Sequence, residues 1–72
     1  MTDTTRLNQI IEETGLKKKF LAQKLGLTPY GLAKKINGET EFKASEITKI
    51  CQILDIQDIQ DKWSIFFSNK VD

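Results

Sequence analysis

The chain has 72 residues, of which 29% are charged, and its formal net charge is +1. A chain of this length forms one domain with a small core, since it buries only about 60% of its unfolded surface. It contains one cysteine, Cys51, and no histidine, so no internal disulfide and no Cys/His metal site is expected. With no signal segment and no long apolar run, the composition indicates a reducing, cytoplasmic setting.

The charge is unevenly distributed along the chain. Residues 17–43 contain seven lysines against two glutamates, a local charge of +5, whereas the segments on either side each carry −2. A basic stripe inside a nearly neutral chain suits a phosphate backbone. The alternative for Lys17, Lys18 and Lys19 is an ordinary solvated helix start.

The first predicted helix begins near the amino terminus. Thr4 or Thr5 can cap it, because a threonine hydroxyl accepts a hydrogen bond from an unpaired backbone amide. Gly15 suits the left-handed residue that ends many helices. Between them, apolar residues recur at the spacing of one helical face: Leu7, Ile10 and Ile11.

Two short amphipathic segments, residues 18–25 and 28–38, are joined at Gly26. Glycine can take a positive φ without steric cost, so two helices can meet there at a steep angle. Thr28 suits an N-cap, and Pro29 suits the first helical position, where a missing N–H costs nothing. Together these signals predict a helix-turn-helix, a motif that places its second helix in the DNA major groove.

Two more helices and a short strand are predicted in the second half of the chain. Residues 44–54 repeat apolar side chains at helical spacing, and Phe42 before them is expected to enter the core. A short fifth helix is predicted over residues 55–61, with an apolar face made by Ile56, Ile59 and Trp63. Alternating residues over 63–68 favour a short strand, within an extended tail at 64–72. The expected fold class is thus all-α, or mostly α, in a single domain.

At this point the sequence resembles the lambda-repressor/Cro-type helix-turn-helix family, over about residues 5–62. FLAQKLGLT, residues 20–28, is similar to the LAxxLGxS core of that family. LAKKINGETEFKASEITKICQILDI, residues 32–56, followed by WSIFF, resembles the small Cro-like proteins encoded beside the CI repressor in temperate phages of Gram-positive bacteria. The resemblance implies a five-helix domain whose third helix binds operator DNA in the choice between lysis and lysogeny.

The same resemblance implies an alternative function, because some proteins of this group are anti-repressors, or modulators of repression. These bind the CI repressor itself and keep it off DNA. Direct readout of bases uses Arg with guanine and Asn or Gln with adenine, but residues 28–36 contain none of the three. A surface with Tyr30 among small residues also suits a protein partner, since Tyr is enriched in interfaces.

The residues expected to contact DNA or a partner lie on the two motif helices: Lys18, Lys19, Thr28, Pro29, Tyr30, Gly31, Ala33, Lys34, Lys35 and Asn37. Tyr30 and Lys34 are expected at base edges. The other lysines and Asn37 are expected near phosphates. A second set is expected either to cover the core or to pair two subunits as a homodimer: Trp63, Ile65, Phe66 and Phe67.

No motif in the sequence indicates catalysis. It has no histidine, no base beside Cys51 and no glycine-rich phosphate loop after a strand. Cys51 is therefore interpreted as a small core residue rather than a nucleophile. We expect no catalytic residue, metal or cofactor.

Overall fold

Five α-helices form the structure, a computed structural model that describes residues 2–67. They are α1 (Thr4–Thr14), α2 (Lys18–Leu25), α3 (Pro29–Ile36), α4 (Ala44–Ile53) and α5 (Ile59–Phe66). α3 packs against α1 and α2, α4 packs against α2, and α5 packs against α1. The described residues contain no strand, which confirms the predicted all-α fold class. None of these helices is long and apolar enough to cross a membrane.

Asp3 is the N-cap of α1, so the predicted cap at Thr4 or Thr5 is wrong. The Asp3 carboxylate accepts a hydrogen bond from the Arg6 backbone N–H at 3.1 Å. A carboxylate suits this position because it pairs an orphan amide and opposes the positive end of the helix dipole. At the other end, Gly15 has a φ of 72° and ends α1 as predicted.

The turn between α2 and α3 has the geometry that its sequence predicts. Gly26 has a φ of 71°, and the next N–H, that of Leu27, donates to the Ala22 carbonyl at 2.9 Å. Thr28 Oγ1 accepts a hydrogen bond from the Gly31 N–H at 3.0 Å, and Pro29 is the first residue of α3. These bonds pair backbone groups that the two helix ends would otherwise leave unsatisfied.

The core takes side chains from all five helices. Its largest fully buried members are Phe66, Leu7, Leu21, Leu32, Ile36, Ile50 and Ile65. Phe42 enters from the α3–α4 loop, as predicted, and its ring meets Phe66 edge to face at a centroid distance of 5.5 Å. Cys51 is buried among them, as expected of a core residue. This burial raises the pKa of the Cys51 thiol, although the Lys62 charge acts in the opposite direction.

The start of α5 differs from its prediction. The helix begins at Ile59 rather than near residue 55, because the Asp58 side chain caps it by accepting the Gln60 N–H at 2.8 Å. Ile56 therefore lies in the preceding loop and is buried, whereas Ile59 is 68% exposed. The predicted shared apolar face of Ile56 and Ile59 is wrong.

The predicted strand is also wrong over the described part of residues 63–68. The chain is helical through Phe66, because a helix places Ile65 and Phe66 together in the core. Burial overrides the strand preference of aromatic and β-branched residues, which is strongly dependent on context. Residue 68 and the remainder of the predicted tail, to residue 72, lie outside the described residues.

Gly26→Val should destabilise the domain through backbone strain, because Gly26 has a positive φ. A steric clash is not expected, since a Cβ at this position meets nothing within 4 Å. A non-glycine residue in the left-handed region costs about 1–2 kcal/mol, and β-branching adds to that cost. Each kcal/mol should lower Tm by about 4–8 °C in a domain of this size. Gly26→Asn is the matched control, because Asn tolerates this region and should melt closer to the parent. Equal melting of the two variants would contradict the strain argument.

Candidate nucleic-acid interface

The amino terminus of α2 is exposed and basic. Lys17 is its N-cap residue but makes no side-chain capping bond, and Lys18 and Lys19 in the first turn are exposed. The unpaired N–H groups at a helix start carry partial positive charge and bind anions. Two of the four predicted phosphate contacts, Lys18 and Lys19, thus lie at the helix end where a phosphate is best accommodated.

The outer face of α3 is dominated by Tyr30. Its side chain is 73% exposed, and the Lys34 Nζ lies 5.4 Å from the centroid of its ring. Lys and Tyr at this spacing form a cation–π pair on one helix face. Pro29 beside them is exposed, whereas Gly31 and Ala33 are half-buried. The predicted base-contacting pair, Tyr30 and Lys34, is therefore brought together.

Thr28 and Asn37, two further predicted polar contacts, lie at the two ends of α3. The Thr28 hydroxyl accepts the Gly31 N–H and so already serves as the N-cap of α3. It retains a hydrogen to donate to a ligand. Asn37 is the exposed C-cap residue of α3. Asn37 therefore lies at the opposite end of this helix from the Thr28 cap.

Lys35 does not have the free position that was predicted for it. Its Nζ forms an ion pair with Glu46 Oε1 at 2.5 Å, and the two side chains are only 12% and 9% exposed. A second contact places this ammonium 6.0 Å from the centroid of the Phe42 ring. Lys35 points into the junction of α3 and α4, so its assignment near a phosphate is corrected.

Glu46 is the polar residue that the sequence did not reveal. Burial acts to raise its pKa, but hydrogen bonds from the Lys35 ammonium and the Lys43 N–H, with the charges of both lysines, outweigh burial and lower the pKa. The Lys43–Glu46 spacing matches the acidic half of a capping box, in which the N3 carboxylate accepts the N-cap N–H. A lysine at the first position of that motif hid the signal.

The predicted aromatic surface on α5 is only partly exposed. Ile65 and Phe66 are buried in the core, so they are removed from that surface. Trp63 is 60% exposed, and its ring lies 4.8 Å from that of the exposed Phe67. Ile59, exposed four residues before Trp63, extends them into a row at i, i+4 and i+8. We call Ile59, Trp63 and Phe67 the α5 stripe.

A second aromatic–lysine pair lies on α2. Phe20 is part-exposed, and the Lys24 Nζ lies 5.4 Å from its ring centroid, at the same i, i+4 spacing as Tyr30 and Lys34. Neither Phe20 nor Lys24 is among the predicted contacts. The i, i+4 spacing of each pair was the available signal. Each helix of the motif therefore carries one exposed ring beneath a lysine.

The sequence matches the Cro/C1-type HTH DNA-binding domain over residues 6–61. Because this match spans most of the 72 residues, the chain belongs to that family of DNA-binding regulatory domains. No curated protein and no solved structure gives a significant match to the chain. Among residues 2–67, no group of acidic, cysteine or histidine side chains could hold a metal ion.

The Lys35–Glu46 pair should stabilise the fold above the ordinary glutamate pKa of 4.5. Because the pKa of Glu46 is lower in the native protein, the unfolded chain binds the proton first as the pH falls. The stability contributed by the pair is therefore complete above about pH 4.5 and is lost as the pH falls through the native pKa. Melting curves of the parent and Glu46→Gln should differ most near neutral pH and converge in acid. A difference that is independent of pH would contradict this prediction.

Proposed function

We propose that this protein binds operator DNA in a Cro-like manner, with α3 in the major groove and the start of α2 against the backbone. The observation that carries the proposal is the exposed Tyr30 ring on α3, with the Lys34 Nζ 5.4 Å from its centroid. The helix that packs against it, α2, begins at an uncapped end with lysines on both sides. Membership of the Cro/C1-type family supports double-stranded DNA as the ligand.

In this proposal, cations position the protein and α3 contacts bases. Lys18 and Lys19 bind phosphates, assisted by the α2 dipole. Tyr30 and Lys34 donate single hydrogen bonds to base edges. The exposed Pro29 ring and the half-buried Ala33 methyl group contact thymine methyl groups. Gly31 has no side chain and so allows close approach of the DNA to α3. Thr28 and Asn37 contribute polar groups at the two ends of this helix.

The proposed setting is the lysis–lysogeny switch of a temperate phage, in the cytoplasm of a bacterial host. Its support is the resemblance of residues 32–56, and of WSIFF at 63–67, to small Cro-like proteins encoded beside CI. A repressor in that position would compete with CI for the same operators.

We also propose that operator binding involves a homodimer joined through the α5 stripe. Ile59, Trp63 and Phe67 expose a row of large apolar side chains, and such rows commonly mark interaction surfaces. A two-fold dimer would present two copies of α3 to two half-sites, about one DNA turn apart. Ile59 and Trp63 lie on α5 and Phe67 is its C-cap, so the stripe takes no residue from α3.

Anti-repression is the second candidate, and the composition of the α3 surface favours it. Tyr30 is the most exposed of the large hydrophobic residues that the structure describes, and it is surrounded by Pro29, Gly31 and Ala33. Buried tyrosines are frequent hot spots at protein interfaces, whereas this surface lacks the bidentate groups that discriminate bases. In this alternative, the same face binds the CI repressor and prevents it from binding DNA.

Lys19→Ala should weaken binding to all DNA sequences alike and flatten the salt dependence. Each neutralised phosphate contributes about −0.9 to the slope of log K against log salt, so one lost contact changes the slope by about one unit. The measurement is fluorescence anisotropy over a series of salt concentrations. Lys49→Ala removes an exposed lysine of α4, outside the two motif helices; it is the matched control and should keep the parent slope. An unchanged slope for Lys19→Ala would remove it from the interface.

Tyr30→Ala distinguishes the two functions. Under operator binding, the parent should shift operator DNA in preference to random DNA, and Tyr30→Ala should reduce that preference. Under anti-repression, the protein alone should bind DNA only non-specifically, with a Kd of about 10⁻⁴–10⁻⁶ M, and should form a complex with CI that Tyr30→Ala weakens.

Gel shifts on operator and random DNA, run beside size-exclusion chromatography with and without CI, measure both outcomes. A specific shift with no CI complex would exclude anti-repression. A CI complex with no specific shift would exclude the Cro-like function. The chromatography also reports oligomeric state, and a monomer at operator-binding concentrations would contradict the α5 dimer.

A further inference from the structure

One carboxylate oxygen joins the end of α3 to the start of α4. Glu46 Oε1 accepts the Lys43 backbone N–H at 2.8 Å and also binds the Lys35 ammonium. The first contact caps α4, and the second holds the last turn of α3. A side chain that belongs to α4 therefore fixes two helix termini that a seven-residue connection, residues 37–43, separates in sequence.

The rest of α3 is held on another side. Leu32 and Ile36 are buried, and α3 packs mainly on α1 and α2. These apolar contacts are non-directional, so they hold the helix against the core with less control of its rotation and axial position. The Lys35–Glu46 pair adds a directional contact one residue after Lys34, the cation expected at the bases.

We infer that Glu46 is a positioning residue of the recognition helix: through Lys35 it fixes the carboxyl-terminal turn of α3, and it withholds that ammonium from DNA phosphates. The inference rests on the proposed DNA function. Lys34 and Lys35 are adjacent in sequence, yet they have different roles. Lys34 remains over the exposed Tyr30 ring, while Lys35 is paired with Glu46 of α4 and its side chain is only 12% exposed.

The chemistry of the pair makes it sensitive to removal of either partner. A buried charge that has lost its partner is costly, whereas replacing both partners by apolar groups of similar size is often tolerated. Single substitutions should therefore release the end of α3. A double apolar substitution can restore stability without restoring the directional contact. This difference separates a positioning role from a purely stabilising one.

The experiment compares Glu46→Gln and Lys35→Met with Asp61→Asn, at a temperature where all three are folded. Asp61→Asn is the matched control, because it breaks the exposed Arg6–Asp61 pair, whose side chains are 49% and 46% exposed. Amide hydrogen exchange on residues 33–37 reports the end of α3 without DNA. Anisotropy on operator and random DNA, each over a salt series, reports recognition.

Glu46→Gln and Lys35→Met should speed exchange over residues 33–37 and lose roughly tenfold of the preference for operator over random DNA, about the effect of one mismatched base pair. Lys35→Met should keep the parent salt slope, because its ammonium does not reach a phosphate. Asp61→Asn should match the parent in both measurements. Unchanged exchange or unchanged preference in the two single variants, or a flattened slope for Lys35→Met, would overturn the inference.

The double variant Lys35→Met with Glu46→Leu completes the test. If it regains the parent melting temperature but not the operator preference, the ion pair positions α3. If it regains both, the pair acts only through stability and the inference is wrong. A parent protein with no operator preference would overturn the proposed function instead. The exchange measurement would then still decide whether Glu46 anchors α3.

Discussion

The left-handed turn at Gly26 determines how α2 and α3 meet, and the exposed surface of the motif follows from that junction. The backbone bond from Leu27 to the Ala22 carbonyl closes the end of α2, while Thr28 caps the start of α3 two residues after the glycine. Ala22 is almost fully buried, so its small side chain permits close approach of the helices. The buried Leu21, Leu32 and Ile36 then hold the two helices against the core.

The tertiary structure gives different roles to the lysines of the basic segment, residues 17–43. Lys18 and Lys19 remain in solvent beside an uncapped helix start, where partial charges of the backbone add to their own. Lys34 lies over Tyr30, which keeps a charge on the outer face of α3. Lys35 is neutralised by Glu46 and becomes part of the fold. The sequence charge of residues 17–43 therefore overstates the number of lysines that are available to bind a nucleic acid.

Both proposed functions use the exposed surface of α2 and α3, because aromatic and cationic side chains can bind either DNA or another protein. Tyr30 and Phe20 each offer an apolar ring beneath a lysine, and each can contact a sugar, a base or an apolar side chain. Specificity for bases requires directional hydrogen-bond donors and acceptors on α3, which this helix has in small number. The orientation of α3, and with it the bond from Lys35 to Glu46, accordingly matters more here than in a helix rich in Arg, Asn or Gln.

Local signals in the sequence determined α1 to α3 and the turn, because Gly15, Gly26 and the Thr28–Pro29 pair act on the few residues beside them. The helical spacing of apolar residues predicted α4. Tyr30 and Lys34, which the sequence placed among the expected contacts, lie on one face because their i, i+4 spacing needs only a helix. Only the tertiary structure decided that Lys35 forms an ion pair with Glu46, eleven residues away, since no local pattern links them. It likewise decided that Ile56 is buried while Ile59 is exposed, and that Ile65 and Phe66 are helical core rather than strand. Each of these outcomes depends on burial against distant parts of the chain, which can override local propensity.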